Sequence, residues 1–453
     1  MRVSVFGAGY VGLVTATCLA SLGHSVICVD VDRRRILNLS RGEPGFHEPR
    51  LKELMDTCLQ VGSLRFASSH EYAIQNSLVH IIAVGTPPNL DGSADVSQVL
   101  GVAHTIGKHL EKYGVVVVKS TVPVGTNERV ESAVADGLRD REGLVHFSVA
   151  SNPEFLREGR AVQDFLDPDR VVVGSRDKNA FEVISEMYRP LADRGVTILK
   201  VSTRSAELAK YACNSMLATR VSFMNEFAAL ADQVGADILD VQKVMGTDRR
   251  IGNHFLSSGV GFGGSCFPKD LKAAIHLAKS VGSSSQILEA VSQTNDKQHF
   301  KLVERANDVL GGLSGRRVAI WGLAFKPETD DIREAPAIAI IRRLLSVGAI
   351  VRAHDPVVRW LPMLSSADKE IFQIVENELD AVRDADALML VTEWDRYRGV
   401  DLDQVACLMR TPLVLDGRNV WSASQHSDRP YTYIGIGRGD SVSGLPQQQK
   451  LVS

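Results

Sequence analysis

The chain has 453 residues, of which 44% are hydrophobic and 23% are charged, a balance that excludes wholesale disorder. A chain of this length has room for about three domains. The formal net charge of −3 argues against nucleic-acid binding through bulk charge, although a local pocket for a small anion remains possible.

Six scattered cysteines form no CxxC pair, which argues against a disulfide scaffold or a structural zinc site and predicts a reducing, cytoplasmic setting. We therefore predict no bound metal. The apolar stretch Val11–Leu22 contains a glycine and runs into a second strand pattern, so we interpret it as folded domain rather than signal peptide. No uninterrupted apolar stretch reaches the roughly 18 residues that span a bilayer, and we predict no membrane partner.

Short β-branched runs alternate with helical stretches over residues 1–201. This alternation predicts an α/β fold with a doubly wound parallel sheet that helices cover on both faces, in an N-terminal dinucleotide-binding domain. The predicted strands are Val3–Phe6, Val26–Val31, Val79–Val84, Val115–Lys119, Phe147–Ala150 and Val171–Gly174.

The pattern becomes helical over residues 202–310. Arg204–Val234 has no internal glycine or proline and predicts one helix about 45 Å long, which is too long for one small domain to cover and suggests a dimer spine. A glycine-rich loop follows at Ser257–Ser265, and helix resumes at Pro268.

Strand–helix alternation returns over residues 311–453, which predicts a second, smaller α/β domain. Its last stretch, Gly435–Ser453, is rich in Gly, Ser and Gln and is predicted to be a loose tail. The predicted strands of this domain are Val318–Gly322, Ile350–His354, Leu388–Glu393 and Leu413–Asp416.

A dinucleotide-binding fingerprint follows the first strand. Gly7, Gly9 and Gly12 occur in the GxGxxG spacing, a helix follows, and the second strand ends at Asp30. The glycines permit a tight turn and close approach to a pyrophosphate, and Asp30 accepts hydrogen bonds from the ribose hydroxyls. Asp30 favours NAD because a 2′-phosphate would meet its charge, although Arg33–Arg35 leave some room for NADP. The alternative is a tight turn without a ligand.

The loop around Cys266 carries the strongest sign of covalent chemistry. Pro268 suits the first turn of a helix, which places Cys266 just before a helix N-terminus and beside Lys269, where a thiol is activated. Asp270 lies one turn later on the same face, and the glycines before Cys266 leave space for a ligand. A cysteine beside NAD indicates aldehyde oxidation through a thiohemiacetal and a thioester. The alternative makes Cys266 a small buried hydrophobe and Asp270 a helix-start acid.

Three polar residues share one face of the long predicted helix, namely Glu207, Lys210 and Asn214. Lys210 and Asn214 lie one turn apart and can together hold a developing oxyanion. A solvated helix face with a Glu–Lys pair explains the same spacing.

The stretch Ser151–Glu158 follows the fifth predicted strand, where doubly wound sheets bind their ligands. Glu154 and Glu158 would then lie on one helical face toward that crevice. Because Ser151 and Glu154 also have capping-box spacing, Glu154 could merely close a helix start.

Other strand ends carry polar groups that are less specific. Thr86 and Thr121 end two strands and could contact cofactor, water or only their own turns. In the last domain, Lys326 and Arg333 follow the first strand and could meet a diphosphate, or could be surface charge.

These motifs together resemble the UDP-glucose/GDP-mannose dehydrogenase family along nearly the whole chain. The resemblance implies an NAD domain, a helical dimer-forming middle and a C-terminal nucleotide-sugar domain. It also implies a four-electron oxidation of a sugar C6 alcohol to a carboxylate, with two NAD and no metal. The matching stretches are Gly7–Gly12 with Asp30, Lys119–Pro123, Asn152–Gly159, Glu207–Asn214, Gly261–Asp270 and Phe325–Arg333.

Within the family, the Arg250–Gly252, Gly261–Gly264 and Cys266–Lys269 motifs most resemble the UDP-glucose branch. This implies UDP-glucose as substrate and UDP-glucuronate as product, with GDP-mannose or a UDP-N-acetyl-hexosamine as alternatives. Phe267 stands where the GDP-mannose branch more often has Leu, a difference that does not settle the sugar.

The resemblance implies residue roles at matching positions. Cys266 corresponds to the nucleophile and Asp270 to its acid–base partner. Lys210 and Asn214 correspond to the groups that hold the C6 oxygen, with Lys210 also a candidate base. Glu154 and Thr121 correspond to residues that position the hydrolytic water.

The implied NAD contacts are Gly7, Gly9, Tyr10, Val11, Gly12, Asp30, Arg35, Thr86, Thr121, Glu158, Lys269 and Arg333. The implied nucleotide-sugar contacts are Glu154, Phe155, Leu156, Arg157, Lys210, Asn214, Arg250, Phe255, Leu256, Ser257, Ser258, Gly259, Gly263 and Lys326, with Arg250 reaching the neighbouring subunit's substrate.

Two other classes of protein share parts of this pattern. A two-electron hydroxyacid dehydrogenase would need a Lys and an Asn but no nucleophilic cysteine, and Cys266 and the third domain argue against it. A nucleotide-sensing scaffold would need none of the Cys–Lys–Asn–Asp set.

Overall fold

The computed structural model of the protein describes residues 1–139, 145–362, 370–421 and 429–439. The chain divides into two compact units. The first contains Met1–Cys213 and Lys272–Gly282, and the second contains Asn214–Leu271 and the described residues of Ser283–Ser453.

The first unit is built on an eight-stranded sheet. Its strands are β1 (Arg2–Phe6), β2 (Ser25–Val29), β3 (Leu64–Ala67), β4 (Val79–Ile82), β5 (Gly114–Val118), β6 (Phe147–Ser151), β7 (Arg170–Gly174) and β8 (Thr197–Val201). They lie in the order β3-β2-β1-β4-β5-β6-β7-β8. All neighbouring strands are parallel except β6 and β7, which pair antiparallel at Ser151 and Gly174. The predicted doubly wound sheet is therefore confirmed, with one antiparallel join.

Helices surround this sheet because its central strands are apolar on both faces. The helices up to the end of β8 are α1 (Tyr10–Ser21), α2 (Arg33–Ser40), α3 (Leu51–Gln60), α4 (His70–Gln75), α5 (Ser97–His109), α6 (Thr126–Leu138), α7 (Ala161–Leu166), α8 (Lys178–Met187) and α9 (Arg189–Ala192).

Two strands of this sheet are absent from the prediction. β3 is only partly buried, and β8 is largely exposed along its length. Both lie at the edges of the sheet, where one side of the strand lacks a neighbour and the apolar signal is weak.

The long predicted helix is confirmed as α10 (Thr203–Val234), which begins in the first unit and ends in the second. The following helices are α11 (Ile238–Thr247), α12 (Phe267–Ser280), α13 (Gln286–Gln298) and α14 (Lys301–Leu310). Within the described residues, no helix is both long and apolar enough to cross a membrane.

The second unit contains a six-stranded, all-parallel sheet in the order β11-β10-β9-β12-β13-β14. Its strands are β9 (Arg317–Trp321), β10 (Ile350–His354), β11 (Phe372–Ile374), β12 (Ala387–Leu390), β13 (Leu413–Asp416) and β14 (Thr432–Gly435). Its helices are α15 (Pro336–Ser346), α16 (Glu378–Val382), α17 (Asp395–Arg398) and α18 (Leu402–Leu408). The edge strands β11 and β14 are again the two that the sequence did not predict.

The stretch predicted as a loose tail begins differently. Gly435 ends β14, Ile436 is buried, and the Arg438 side chain pairs with Asp237 at 3.2 Å. An ideal Cβ on Gly437 would lie 2.6 Å from the Cβ of Ala228, so this turn packs directly on α10. The prediction is therefore wrong for residues 435–439, and residues 440–453 lie outside the described part of the chain.

Candidate active site

The three motif glycines occupy three different environments at the end of β1. Gly7 has φ +99°, a left-handed conformation that favours glycine. An ideal Cβ on Gly12 would lie 1.8 Å from the Gly7 carbonyl oxygen, so α1 packs against the turn with no room for a side chain. A Cβ on Gly9 would meet nothing within 4 Å. The open space at Gly9, at the start of α1, fits the approach of a pyrophosphate.

Asp30 follows β2 and presents a charged carboxylate near this turn. It accepts hydrogen bonds from the Ala8 amide at 2.9 Å, the Asp32 amide at 2.9 Å and the Arg35 guanidinium at 3.0 Å. Burial raises the pKa of Asp30, but these amides and Arg35 outweigh it, and the pKa is lowered. Asp30 is therefore ionised at neutral pH and suited to accept from ribose hydroxyls.

The loops after β4 and β5 are joined by their threonines. The Thr86 hydroxyl donates to the Thr121 carbonyl at 2.9 Å, so both predicted residues lie in one place.

Glu207 of α10 anchors the same region. Its buried carboxylate accepts from the Gly125 amide at 2.7 Å, the Asn127 amide at 2.8 Å and the Asn127 side chain at 2.6 Å. Glu207 thus caps the start of α6, and its interpretation as half of a solvated Glu–Lys pair is wrong.

Lys210 instead pairs with Glu154. The Lys210 Nζ lies 2.9 Å from Glu154 Oε1, and both side chains are at most 5% exposed. Burial raises the pKa of Glu154, but Lys210 and the Leu156 amide outweigh it and lower the pKa. The pair is a buried ion pair at neutral pH.

The segment that carries Glu154 is a loop, and the expected helix is absent. After β6 ends at Ser151, irregular backbone extends over 152–157, and α7 begins only at Ala161. Pro153 disfavours helical backbone at the residue before it. The capping-box interpretation and the shared helical face of Glu154 and Glu158 are therefore both wrong.

A second buried lysine, Lys119, follows β5. Its Nζ lies 3.1 Å from Asn152 Oδ1 and 3.4 Å from the Tyr188 hydroxyl. Burial lowers the pKa of Lys119 to about 8, with an opposing effect of Glu154 and a further lowering by Lys210. Two lysines thus share the field of one carboxylate.

Two further predicted residues of this loop, Phe155 and Arg157, contact charged side chains. Arg157 forms a two-bond pair with Asp164, at 2.6 Å and 2.9 Å. The Arg170 guanidinium lies 4.0 Å from the centre of the Phe155 ring, and Lys210 lies 5.3 Å from the same ring.

The second unit carries Cys266. The thiol is half-buried and immediately precedes α12, as predicted, and the Asp270 amide donates to the Cys266 carbonyl at 2.9 Å in the first helical turn. Asp270 is buried, and its two oxygens accept from Asn214 Nδ2 at 2.6 Å and Lys269 Nζ at 2.7 Å. The structure therefore brings the predicted residues Asn214, Lys269 and Asp270 together one turn from Cys266.

The glycine-rich loop before Cys266 is packed against protein atoms, which corrects the expectation that its glycines leave space for a ligand. An ideal Cβ would lie 2.1 Å from the Glu334 carbonyl at Gly263 and 2.7 Å from the Phe325 ring at Gly264. The same contacts bring the loop to the segment that carries Lys326 and Arg333.

Buried polar side chains that the sequence did not indicate hold the backbone of this loop. Asn225 accepts the Gly259 amide at 2.8 Å, Asn295 accepts the Phe262 amide at 2.8 Å, and Gln298 donates to the Gly259 carbonyl at 2.7 Å. The only signal in the sequence is a polar residue on the apolar face of a helix.

Arg418 is a further residue absent from the prediction. Its Nη1 donates to the Gly261 carbonyl at 3.2 Å, and its Nε lies 3.2 Å from Glu393. This cation therefore lies against the predicted substrate loop.

Two other predicted cations are exposed. Arg250 pairs with Asp248 at 2.6 Å with 88% of its side chain exposed, and Arg333 pairs with Asp331 at 2.6 Å with 63% exposed. Arg220 donates to the Ile251 and Gly252 carbonyls, both at 2.8 Å, and so holds the loop that presents Arg250. Among the described residues, no group of three or more His, Cys, Asp or Glu side chains is placed to hold a metal ion.

A Rossmann-like sheet with an NAD-type fingerprint, combined with a cysteine at a helix start, defines an NAD-dependent dehydrogenase. Three family models match in order: the NAD-binding domain of the UDP-glucose/GDP-mannose dehydrogenase family over residues 1–192, its central domain over 204–297, and its UDP-binding domain over 319–423. The chain belongs to the UDP-glucose/GDP-mannose dehydrogenase family, and the predicted family and NAD cofactor are confirmed.

Individual proteins are similar along the full length. The chain is 46% identical to a UDP-glucose 6-dehydrogenase of Pseudomonas aeruginosa, over 97% of this chain and 98% of the relative. A UDP-glucose dehydrogenase of Pyrobaculum islandicum superposes with a TM-score of 0.87 at 40% identity, over 96% and 97% of the two chains. A UDP-D-ManNAc dehydrogenase of Pyrococcus horikoshii gives a TM-score of 0.85 at 27% identity, over 97% and 100%.

Proposed function

We propose that this protein oxidises the C6 alcohol of UDP-glucose to the carboxylate of UDP-glucuronate, with two NAD per sugar. Full-length relatives at 46% and 40% identity carry the UDP-glucose name, whereas the UDP-D-ManNAc dehydrogenase is 27% identical. The observation that carries the proposal is the half-buried Cys266 at the start of α12 in a chain that also has an NAD-type fingerprint. A two-electron dehydrogenase has no use for that thiol.

The chemistry divides into two oxidations and a hydrolysis. When bound, NAD accepts one hydride in each oxidation. Between them, the Cys266 sulfur adds to the aldehyde carbon and forms a thiohemiacetal, whose oxidation leaves a thioester. Water then attacks the thioester carbon, the C–S bond breaks, and the thiolate leaves with the carboxylate released.

The neighbours of Cys266 suit acid–base support of these steps. Following the family resemblance, we assign Asp270 as the group that exchanges protons with the thiol and the attacking water; it lies one helical turn from Cys266, and Asn214 and Lys269 fix its carboxylate in place. Following the family resemblance, Asn214 and Lys210 bind the C6 oxygen, and Glu154 and Thr121 position the water.

Substrate identity is tested by measuring NADH release side by side with UDP-glucose, GDP-mannose and UDP-N-acetyl-glucosamine. UDP-glucose should give the highest kcat/KM and two NADH per sugar. A higher kcat/KM with another nucleotide sugar would make that sugar the substrate and contradict UDP-glucose. One NADH per sugar would contradict the four-electron reaction.

The role of Cys266 is tested by Cys266→Ala and Cys266→Ser. Cys266→Ala should lose acid formation, whereas Cys266→Ser should accumulate an oxygen ester, visible by intact mass as one sugar-nucleotide acyl group. Cys407→Ala is the matched control, because that thiol is exposed on α18. Near-normal acid formation by Cys266→Ala would refute covalent catalysis at this residue.

We also propose that the chain forms a homodimer through α10. Its second-unit portion exposes an apolar stripe at helical spacing, formed by Met216, Phe223, Phe227 and Leu230, which are 61%, 45%, 39% and 50% exposed. Such a stripe on a long helix is typical of a helix–helix interface. Sedimentation should show that the unmodified chain is a dimer and that the Phe223→Glu/Phe227→Glu double variant is a monomer. An unmodified chain that is fully active as a monomer would contradict the proposed dimer.

A further inference from the structure

Glu48 is a buried carboxylate whose side-chain partners all lie far from it along the chain. It is 7% exposed and lies in the loop between α2 and α3. Its Oε2 accepts from the Gly159 amide at 2.6 Å and from the Tyr10 hydroxyl, and its Oε1 accepts from the Val162 amide at 3.4 Å. One carboxylate therefore joins three separate segments of the first unit.

One partner of Glu48 is an implied NAD contact, and another is the chain neighbour of one. Tyr10 is the first residue of α1, directly after Gly9 of the dinucleotide fingerprint. Gly159 directly follows Glu158, which the family resemblance assigns to NAD. Gly159 has φ +79°, so the chain makes a tight left-handed turn at the point that Glu48 holds. The Tyr10 ring also packs on Phe46, with 4.9 Å between ring centres.

A helix cap alone does not explain this arrangement. Helix α7 begins after Arg160, which supplies no side-chain cap, and a local Ser or Asp would satisfy its amides at lower cost. A cap from Glu48 requires burying a charge, and it includes a bond to Tyr10 that α7 does not need. The bond to Tyr10 has a use if NAD binding requires a fixed distance between α1 and the Glu158 segment.

We propose that Glu48 is a positioning residue for NAD binding, which holds the Glu158–Gly159 segment against the first turn of α1. The inference rests on the proposed function only in that NAD binds at the glycine fingerprint. Glu48 itself contacts no substrate and acts through Tyr10 and Gly159.

The test is NAD affinity measured by calorimetry on the full chain, together with thermal unfolding. Glu48→Gln keeps the shape but replaces one acceptor oxygen with a donor, which loosens the hold on the Glu158–Gly159 segment. A segment that keeps the binding geometry about one-tenth of the time raises the apparent Kd about tenfold. Glu48→Gln should therefore weaken NAD binding about tenfold. Tyr10→Phe removes one hydroxyl and should weaken it about threefold while the fold stays intact.

Asp177→Asn is the matched control. Asp177 also caps a helix of the first unit, accepting the Asn179 amide at 2.9 Å and the Ser148 hydroxyl, but it touches no predicted NAD contact. It should lower the melting temperature without changing the Kd of NAD.

The outcomes separate positioning from simple stabilisation. An unchanged Kd in Glu48→Gln or in Tyr10→Phe would overturn the inference, as would an equal loss of affinity in Asp177→Asn. Should Glu48→Gln fail to fold, the shorter Glu48→Asp takes its place, and an unchanged Kd in that variant would equally overturn the inference. Tyr10→Phe alone does not decide, because Tyr10 is itself an implied NAD contact. An unmodified chain that does not bind NAD would contradict the proposed function first.

Discussion

Gly9 and Gly12 of the dinucleotide fingerprint should respond in opposite ways to the same added methyl group. In Gly12→Ala, the new Cβ would lie 1.8 Å from the Gly7 carbonyl oxygen, and a gap of at least 3.0 Å is needed, so α1 or the turn must move. The residues that follow on α1, such as Leu13 and Val14, are fully buried and cannot shift freely.

The cost of Gly12→Ala follows from this overpacking. Forced displacement in a packed core costs about 1–3 kcal/mol. In a unit of this size each kcal/mol lowers the melting temperature by about 2–4 °C, so we expect a loss of about 2–12 °C.

Gly9→Ala should cost much less stability than Gly12→Ala, with only the small penalty of alanine in place of glycine at the N-cap of α1. An ideal Cβ on Gly9 meets nothing within 4 Å, and its φ of −74° and ψ of −169° suit alanine. The methyl group would instead stand where the pyrophosphate approaches the backbone. We expect NAD to bind at least tenfold more weakly, a loss of about 1.4 kcal/mol.

Thermal unfolding and NAD calorimetry on the two variants distinguish these effects. Gly12→Ala should lose stability, whether or not it also loses affinity, and Gly9→Ala should lose affinity with little loss of stability. A Gly9→Ala variant that binds NAD normally would refute the placement of the pyrophosphate, and a fully stable Gly12→Ala would refute the packing argument.

Three further predictions concern buried charges of the first unit. Lys210→Met leaves Glu154 buried without its cation and should cost about 3–5 kcal/mol in unfolding free energy, with partial recovery in the Lys210→Met/Glu154→Gln double variant; equal costs in both would contradict the ion pair. Burial lowers the pKa of Lys119 to about 8 in the folded chain, whereas the ordinary lysine pKa is 10.5. Between these two pH values the unfolded chain binds more protons than the folded chain. The unfolding free energy therefore rises with pH in this range. Chemical unfolding across this range should show the unfolding free energy of the unmodified chain rising with pH relative to that of Lys119→Met. A difference in unfolding free energy that stays constant with pH would contradict the lowered pKa. Asp30→Ala should weaken NAD and relax discrimination against NADP in a binding assay, because the carboxylate that repels a 2′-phosphate is gone; faster turnover of the unmodified protein with NADP would contradict this role of Asp30.

Local patterns determined the features that depend on neighbouring residues. The fingerprint turn, α10 and the position of Cys266 before α12 follow from glycine spacing, an unbroken helical stretch and Pro268. The central strands of both sheets were predictable because burial on both faces requires a continuous apolar run.

Tertiary structure decided the edge strands and the backbone after β6. β3, β8 and β11 are only partly buried, so their residues carry little apolar pattern, whereas β14 is mostly buried but ends in Gly435. All four become strands because a neighbour offers a free edge. The loop at 152–157 has helix-like spacing, but Pro153 and the partners of Glu154 favour an irregular path.

The choice of partner for each charged residue was also beyond local pattern. Spacing on α10 suggested that Glu207 pairs with Lys210, yet Glu207 binds the start of α6 and Lys210 binds Glu154. Glu48 likewise reaches Gly159, 111 positions away. A buried charge takes the partners that the folded chain brings within hydrogen-bond distance, and sequence spacing along one helix does not report which segments those are.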